Sequence, residues 1–140
     1  MKNNAKQLLY NLPAHRGRND NLKLLRVITS SDVLKVDFGY YTTDYYTRGG
    51  WVRIANNTFI RDNKTKLKYK LLRAENIPIA PNHHHFKTTH EWLYFSLYFE
   101  PIPDNTRLID LIETEQGDET DFNFFNIELT PKNSLEIIIL

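Results

Sequence analysis

The chain has 140 residues, a formal net charge of +1 and no cysteine, and these three facts exclude several classes of protein. The length suits one domain with its own core, and the lack of cysteine excludes disulfides, thiolate metal sites and thiol nucleophiles. A net charge so close to zero creates no global field for nucleic acid or anionic lipid, so we expect no nucleic-acid partner. No apolar run approaches the roughly 18 residues that span a bilayer, so we predict no membrane insertion.

The first 21 residues form a segment with weak structural signals. Apolar residues with partial helical spacing precede a proline here: Ala5, Leu8, Leu9, Leu12 and Pro13. This spacing predicts a short helix or a disordered lead over residues 1–21, followed by a single β-domain over residues 22–140. The segment lacks the long apolar run of a secretory signal, so we expect a cytoplasmic protein unless an export signal has been removed.

From residue 22 onward the sequence is a series of short apolar runs separated by turn residues. The predicted strands cover residues 24–28, 34–40, 51–54, 58–61, 66–73, 92–99, 108–112, 122–129 and 135–140. Strands of this length, separated by turns at about ten-residue spacing and with almost no helical period, predict an all-β sandwich or barrel.

The stretch from Tyr94 to Ile112 organises the predicted domain. One set of side chains alternates strictly with a second set: Leu93, Phe95, Leu97 and Phe99 against Trp92, Tyr94, Ser96 and Tyr98. Pro101 and Pro103 end this strand because neither can donate a ladder hydrogen bond, and an apolar run resumes at Leu108. The alternation predicts that the first set faces the core and that the second set faces outward.

Four segments together are similar to a known kind of module: GGWVRI, KYKLLRAENIPIAP, LYFSLYFEPIPDNTRLIDLIE and FNFFNIEL. They resemble immunoglobulin-like β-sandwich modules of unknown function from bacterial, often exported, multidomain proteins. The resemblance covers about residues 22–130, and the phrase LYFEPIP…TRLIDLIE is its most specific part. It implies an antiparallel immunoglobulin-like sandwich of about 7–9 strands with a non-catalytic accessory role. It implies no catalytic residue and no cofactor.

A histidine-rich loop provides an alternative function. His83 and His85 would point to the same side of an extended segment, and His90 or Glu91 would complete a three-ligand metal site. The expected outcome is nevertheless no metal site, because imidazole ligands need a second hydrogen-bond partner that the polar loop does not supply. A metal-binding protein or metal-dependent enzyme that uses this loop stays open as the alternative.

Charged residues cluster in two further places, and both have a structural interpretation. Lys66, Lys68 and Lys70 share one strand face, where they would protect a sheet edge or form cross-strand ion pairs. The acidic loop 114–121 and the preceding Glu113 are typical of a solvated loop. No GxSxG motif and no glycine-rich phosphate loop is present, so we predict no enzymatic activity.

The aromatic residues on the outward side of the central strand provide the preferred function. Three large rings, those of Trp92, Tyr94 and Tyr98, would be exposed in an isolated domain, and large exposed apolar areas mark interaction surfaces. We predict that these rings are covered, either by the N-terminal segment around residues 8–12 or by another protein chain. The predicted function is a non-catalytic module for protein–protein or interdomain contacts, with a protein partner or a homo-oligomer. A glycan-binding module that uses exposed tyrosine and tryptophan is the second alternative.

Overall fold

The computed structural model describes residues 5–12, 17, 19–42, 51–82, 84–86, 91–115, 117, 121–131 and 134–139. These residues form eleven strands: β1 (Ala5–Asn11), β2 (Leu22–Thr29), β3 (Leu34–Tyr41), β4 (Trp51–Val52), β5 (Phe59–Asp62), β6 (Lys68–Glu75), β7 (His84–His85), β8 (Trp92–Phe99), β9 (Leu108–Ile112), β10 (Phe124–Glu128) and β11 (Ser134–Ile139). Within the described ranges no helix is long and apolar enough to cross a bilayer. The prediction of an all-β, antiparallel fold is confirmed.

Nine of the strands form one continuous antiparallel sheet in the order β10-β9-β5-β6-β8-β3-β2-β1-β11, and β4 and β7 pair separately. The sheet is curled into a half-barrel, so that strands far apart in the order face each other. The ring of Phe124 on β10 lies 5.8 Å from that of Phe38 on β3, although four strands separate β10 from β3. The core therefore fills the concave side of a single sheet.

Strand β8 lies at the centre of this sheet, between β3 and β6. Its burial alternates as the sequence predicts, because every second side chain points to the concave side. The buried set is Leu93, Phe95, Leu97 and Phe99. Phe95 stacks on Phe38 of the neighbouring strand at 5.1 Å, which ties β8 to β3 within the core. The predicted direction of the central strand is therefore confirmed.

The chain does not fold back from β8 as a hairpin. β8 pairs with β3 and β6, whereas β9 pairs with β5 and β10, so the connection carries the chain from one half of the sheet to the other. Ile102, between the two prolines of this connection, is buried. Its side chain anchors the crossing in the core, while prolines on both sides keep the backbone out of the hydrogen-bond ladder.

The N-terminal segment differs from the prediction of a short helix or a disordered lead. Residues 5–11 form β1, which pairs with β2 on one side and β11 on the other. Tyr10 is buried, and Leu8 and Leu12 pack against the core. These three residues have a period of two, which a strand satisfies, whereas a helix would place Tyr10 on the face opposite Leu8 and Leu12. A short apolar run is compatible with both a helix and a strand. Here the segment forms a strand because it pairs with β2 and β11.

Candidate interaction surface

The outer face of the sheet, on the side away from the core, carries the residues predicted to bind a partner. Trp92, Tyr94, Ser96 and Tyr98 alternate with the buried residues of β8, and Trp92 and Tyr94 are 48% and 57% exposed. Their rings are 5.6 Å apart and nearly parallel, with 7° between the ring planes. Tyr41 on β3 extends this group, since its ring lies 4.7 Å from that of Trp92.

The close approach of the two rings to the neighbouring strand depends on Gly39. Gly39 on β3 is paired with Tyr94, and a Cβ atom at this position would lie 3.1 Å from Cζ3 of Trp92 and 3.3 Å from Cε1 of Tyr94. Both distances are tighter than an ordinary contact. The absence of a side chain therefore lets the two rings cover the backbone of β3, and such cross-strand coverage of a glycine also stabilises a sheet.

Tyr98 is in a different environment from Trp92 and Tyr94. It is half-buried, with the guanidinium of Arg73 3.7 Å from its ring centre and the ammonium of Lys35 5.7 Å away. Its hydroxyl donates a hydrogen bond to Glu75 at 3.3 Å. Tyr98 is therefore covered by charged side chains from its two neighbouring strands, so the exposed aromatic area of β8 is concentrated on Trp92 and Tyr94.

The N-terminal segment around residues 8–12 does not cover the rings of Trp92 and Tyr94. The prediction that this segment covers them is therefore wrong. β1 lies three strands away from β8 in the sheet, and its Leu8 and Leu12 contribute to the core instead. Coverage by another chain therefore stays a prediction.

A buried carboxylate lies between the aromatic pair and Tyr98. Asp37 on β3 is paired with Ser96, whose hydroxyl donates a hydrogen bond to it at 2.6 Å. Arg26 also donates to Asp37, and the ammonium of Lys35 is 3.5 Å away. Burial alone would raise the pKa of Asp37, but these hydrogen bonds and charges outweigh burial and hold the pKa below its ordinary value. Asp37 is thus an ionised, fully engaged group beneath the surface.

The histidine loop is only partly within the described residues. His85 pairs with Trp51 across the short β4–β7 ladder, and the ring of His84 contacts the edge of Phe86 at 4.9 Å. Glu91 precedes β8, and His83 and His90 lie outside the described ranges. Among residues that the structure describes, no three His, Asp or Glu side chains come together as a metal site. The metal alternative of His83, His85, His90 and Glu91 stays a hypothesis.

The basic strand does not have the edge position that was one of its two predicted roles. β6, which carries Lys68 and Lys70, is an internal strand between β5 and β8, so its lysines do not protect an edge. The prediction of edge protection is wrong because a paired strand follows on each side of β6. Lys68 lies 3.5 Å from Glu115, but Glu115 follows β9 and is not on a strand, so cross-strand ion pairing stays a prediction. The ammonium of Lys68 also lies over the ring of Phe59, at 4.6 Å.

Glu113, just before the acidic loop, has a structural role. Glu113 accepts hydrogen bonds from the backbone N–H groups of Ala55 and Phe122, both at 3.0 Å, and so ties together two loops. Burial raises the pKa of Glu113 above its ordinary value, and these two hydrogen bonds offset only part of the effect. Its oxygens are engaged by the backbone, which favours a structural role over that of a catalytic acid.

Another buried carboxylate, that of Asp110 on β9, is not among the residues predicted from the sequence. Arg61 binds Oδ2 of Asp110 at 3.0 Å. The other carboxylate oxygen, Oδ1, accepts hydrogen bonds from the side chain of Asn63 at 3.1 Å and from the backbone N–H of Asn126 at 2.9 Å. Asn126 lies in a β-bulge of β10 with a φ of 57°. An aspartate in the middle of an apolar strand was the available signal, since such a charge is buried only when it is paired.

Comparisons of this chain with models of known protein families, with curated proteins and with solved structures found no match.

Proposed function

We propose that the chain is a non-catalytic β-module that contacts another protein or domain through the aromatic pair Trp92–Tyr94. The observation that carries the proposal is the pair itself: two large rings, parallel and about half exposed, at the centre of the sheet. Tyrosine and tryptophan provide rigid contact area at low entropic cost and are enriched in the cores of protein interfaces. Tyr98, with its covering charges, would form the polar rim of the same contact.

The residues around the aromatic pair also favour binding, because they fix the orientation of Trp92. Trp92 is held on both sides, by Tyr41 at 4.7 Å and by Tyr94 at 5.6 Å, so its orientation is fixed before a partner arrives. Such preorganisation lowers the entropy lost on association. The adjacent Asp37 cluster is already neutralised by its own partners, so a protein surface that approaches the rings does not have to compensate for that charge.

The finer architecture belongs to the same proposal. We infer that the curled sheet is a variant of the immunoglobulin-like sandwich and acts as an accessory module in a larger bacterial protein. The contact between Phe38 and Phe124 supports this inference, because it brings two parts of the sheet face to face across one core, as in a sandwich. The crossing between β8 and β9, which lies within the most specific part of the resembling sequence, also joins these two halves.

The proposal is tested by site-specific photocrosslinking in the cells that naturally make the protein. A benzoylphenylalanine at position 94 should form a crosslink to a second polypeptide or to another domain of the same one. The same residue placed at position 67 is the control, because Leu67 is equally exposed, at 59%, but lies on the β5–β6 connection. In the crosslinking protein, Trp92→Ala should weaken the contact by more than tenfold, in line with about 2 kcal/mol for a hot-spot residue.

Two results would contradict the proposed contact. One is the absence of any crosslink from position 94 in the full-length protein. The other is crosslinking of equal yield from positions 94 and 67, which would show only that both positions are accessible.

A further inference from the structure

An open groove of about 410 Å³ lies on the outer face beside the aromatic pair. Its position follows from the sequence of β8, in which the small Ser96 stands between Tyr94 and Tyr98. Ser96 and Asp37 line the groove, and Tyr94 lines it as well. Trp92 is not among its lining residues, so the groove is a feature separate from the exposed face of that ring.

Polar side chains from four neighbouring strands lie in one row across this groove. In register, Arg26 on β2 is paired with Asp37 on β3, Asp37 with Ser96 on β8, and Ser96 with Glu75 at the end of β6. Glu75 is 55% exposed, and its hydrogen bonds from Tyr98 and Arg73 are long, at 3.3 and 3.4 Å. Its carboxylate oxygens therefore remain accessible to a ligand. A ligand in the groove would thus meet hydrogen-bonding groups along its whole width.

Asn76 adds a fixed amide to the groove. The residue directly follows β6 in a left-handed conformation, with a φ of 66°, and its side-chain nitrogen donates to the backbone oxygen of Tyr94. Because the nitrogen is held in this way, the orientation of the side-chain oxygen beside Tyr94 is also defined. A preset acceptor next to an aromatic ring is a feature of sites that recognise a ligand by orientation as well as by contact.

The charges that line the groove cancel. Two cations, Arg26 and Lys35, are matched by two carboxylates, Asp37 and Glu75. Arg26 and Lys35 both contact the buried Asp37, which further reduces the net field that a ligand would meet. The groove therefore has no electrostatic preference for an anion or a cation, but it is rich in donors and acceptors.

We propose that this groove binds an uncharged carbohydrate. A sugar ring has one face of C–H groups, which suits contact with an aromatic ring such as that of Tyr94, and a rim of hydroxyls that both donate and accept hydrogen bonds. Glu75 and Asn76 accept from these hydroxyls, and the guanidinium of Arg26 donates to them. The groove is not enclosed and its lining residues span several strands, which fits a segment of an oligosaccharide chain better than an enclosed small molecule.

Titration calorimetry with the purified full chain tests the proposal. The probes are uncharged hexasaccharides of glucose in α- and β-linkage, of xylose, of mannose and of N-acetylglucosamine, each raised to about 10 mM, a range that detects millimolar binding. At least one of these should bind saturably. Tyr94→Ala and Asn76→Ala should each weaken that binding by at least tenfold, and Glu75→Gln by at least threefold. Leu67→Ala, a change at an exposed residue outside the groove, should leave the binding unchanged.

Three results would overturn the proposal: no saturable binding of any probe, binding that the three groove variants leave unchanged, or tighter binding of a sulfated hexasaccharide than of its uncharged counterpart. Glu75→Gln keeps the test valid if Tyr94→Ala disturbs the fold, because Glu75 lies at the exposed end of its strand. The result is independent of the proposed protein contact. A crosslink from position 94 without sugar binding would remove this inference alone, and sugar binding without a crosslink would remove the protein contact alone.

Discussion

Replacing Asp110 with alanine is expected to destabilise the fold by about 3–5 kcal/mol, the range for breaking a buried ion pair by removal of one partner. Asp110 is 1% exposed and lies on β9 between β5 and β10. Its removal takes the acceptor from the guanidinium of Arg61 and the backbone N–H of Asn126, and it takes one of two acceptors from the amide of Asn63. The loss should appear in chemical denaturation as a lower midpoint with an unchanged slope.

The same substitution has a predicted pH dependence. Burial alone would raise the pKa of Asp110, but the hydrogen bonds from Asn126 and Asn63 and the Arg61 pair hold it below its ordinary value. Because the pKa in the folded state lies below that in the unfolded state, the stabilisation is fully present above the unfolded value and disappears as the pH falls through the folded value. The difference in unfolding free energy between wild type and variant should therefore shrink in acid.

Glu128→Ala, on the neighbouring strand and exposed, is the matched control and should have little effect. An Asp110→Ala variant as stable as this control would contradict the described cluster.

Leu97→Ala is expected to cost about 2–5 kcal/mol, the usual range for a large-to-small change in a packed core. Leu97 has no exposed surface and sits at the middle of β8, opposite Val36 on β3 and Ala74 on β6. Its loss would leave a cavity at the centre of the sheet, where the surrounding strands have little freedom to close it. The control is Leu72→Ala, since Leu72 is 56% exposed on the adjacent strand β6 and should change the unfolding free energy by less than about 1 kcal/mol. Equal losses for the two leucines would show that β8 does not face the core in this way.

The parts of the fold that the sequence predicts are those determined by local pattern. The alternation around Leu97 is strict over eight residues, so both the existence of β8 and the direction of its side chains could be read directly. Turn residues flank the other main strands, so the predicted ends of those strands differ from the observed ends by only a few residues. Trp92 and Tyr94 follow from the same alternation, so their exposure on the outer face was predictable.

The parts that the sequence did not predict depend on contacts between distant segments. β1 is a strand because β2 and β11 offer it a place in the sheet, and its few apolar residues do not specify that choice alone. The internal position of β6 follows from the strand order, which no local pattern contains. The partners of Asp110 lie 16 to 49 residues away, in three different strands or loops. The burial of Tyr98 also depends on partners, since Arg73 and Lys35 come from two other strands.

The division of β8 into a core face and a binding face is tested most directly by one pair of neighbouring substitutions. Tyr94→Ala and Phe95→Ala remove adjacent aromatic rings from opposite faces of the same strand, and the free energy of unfolding is measured for both. Phe95 is 3% exposed, and its removal should cost about 3–5 kcal/mol. Tyr94 is 57% exposed, and its removal should cost no more than about 1 kcal/mol, the value of a cross-strand pair, because its ring is available for a ligand or partner. Equal losses for the two variants would contradict the account, since Tyr94 would then be needed for folding rather than kept for binding.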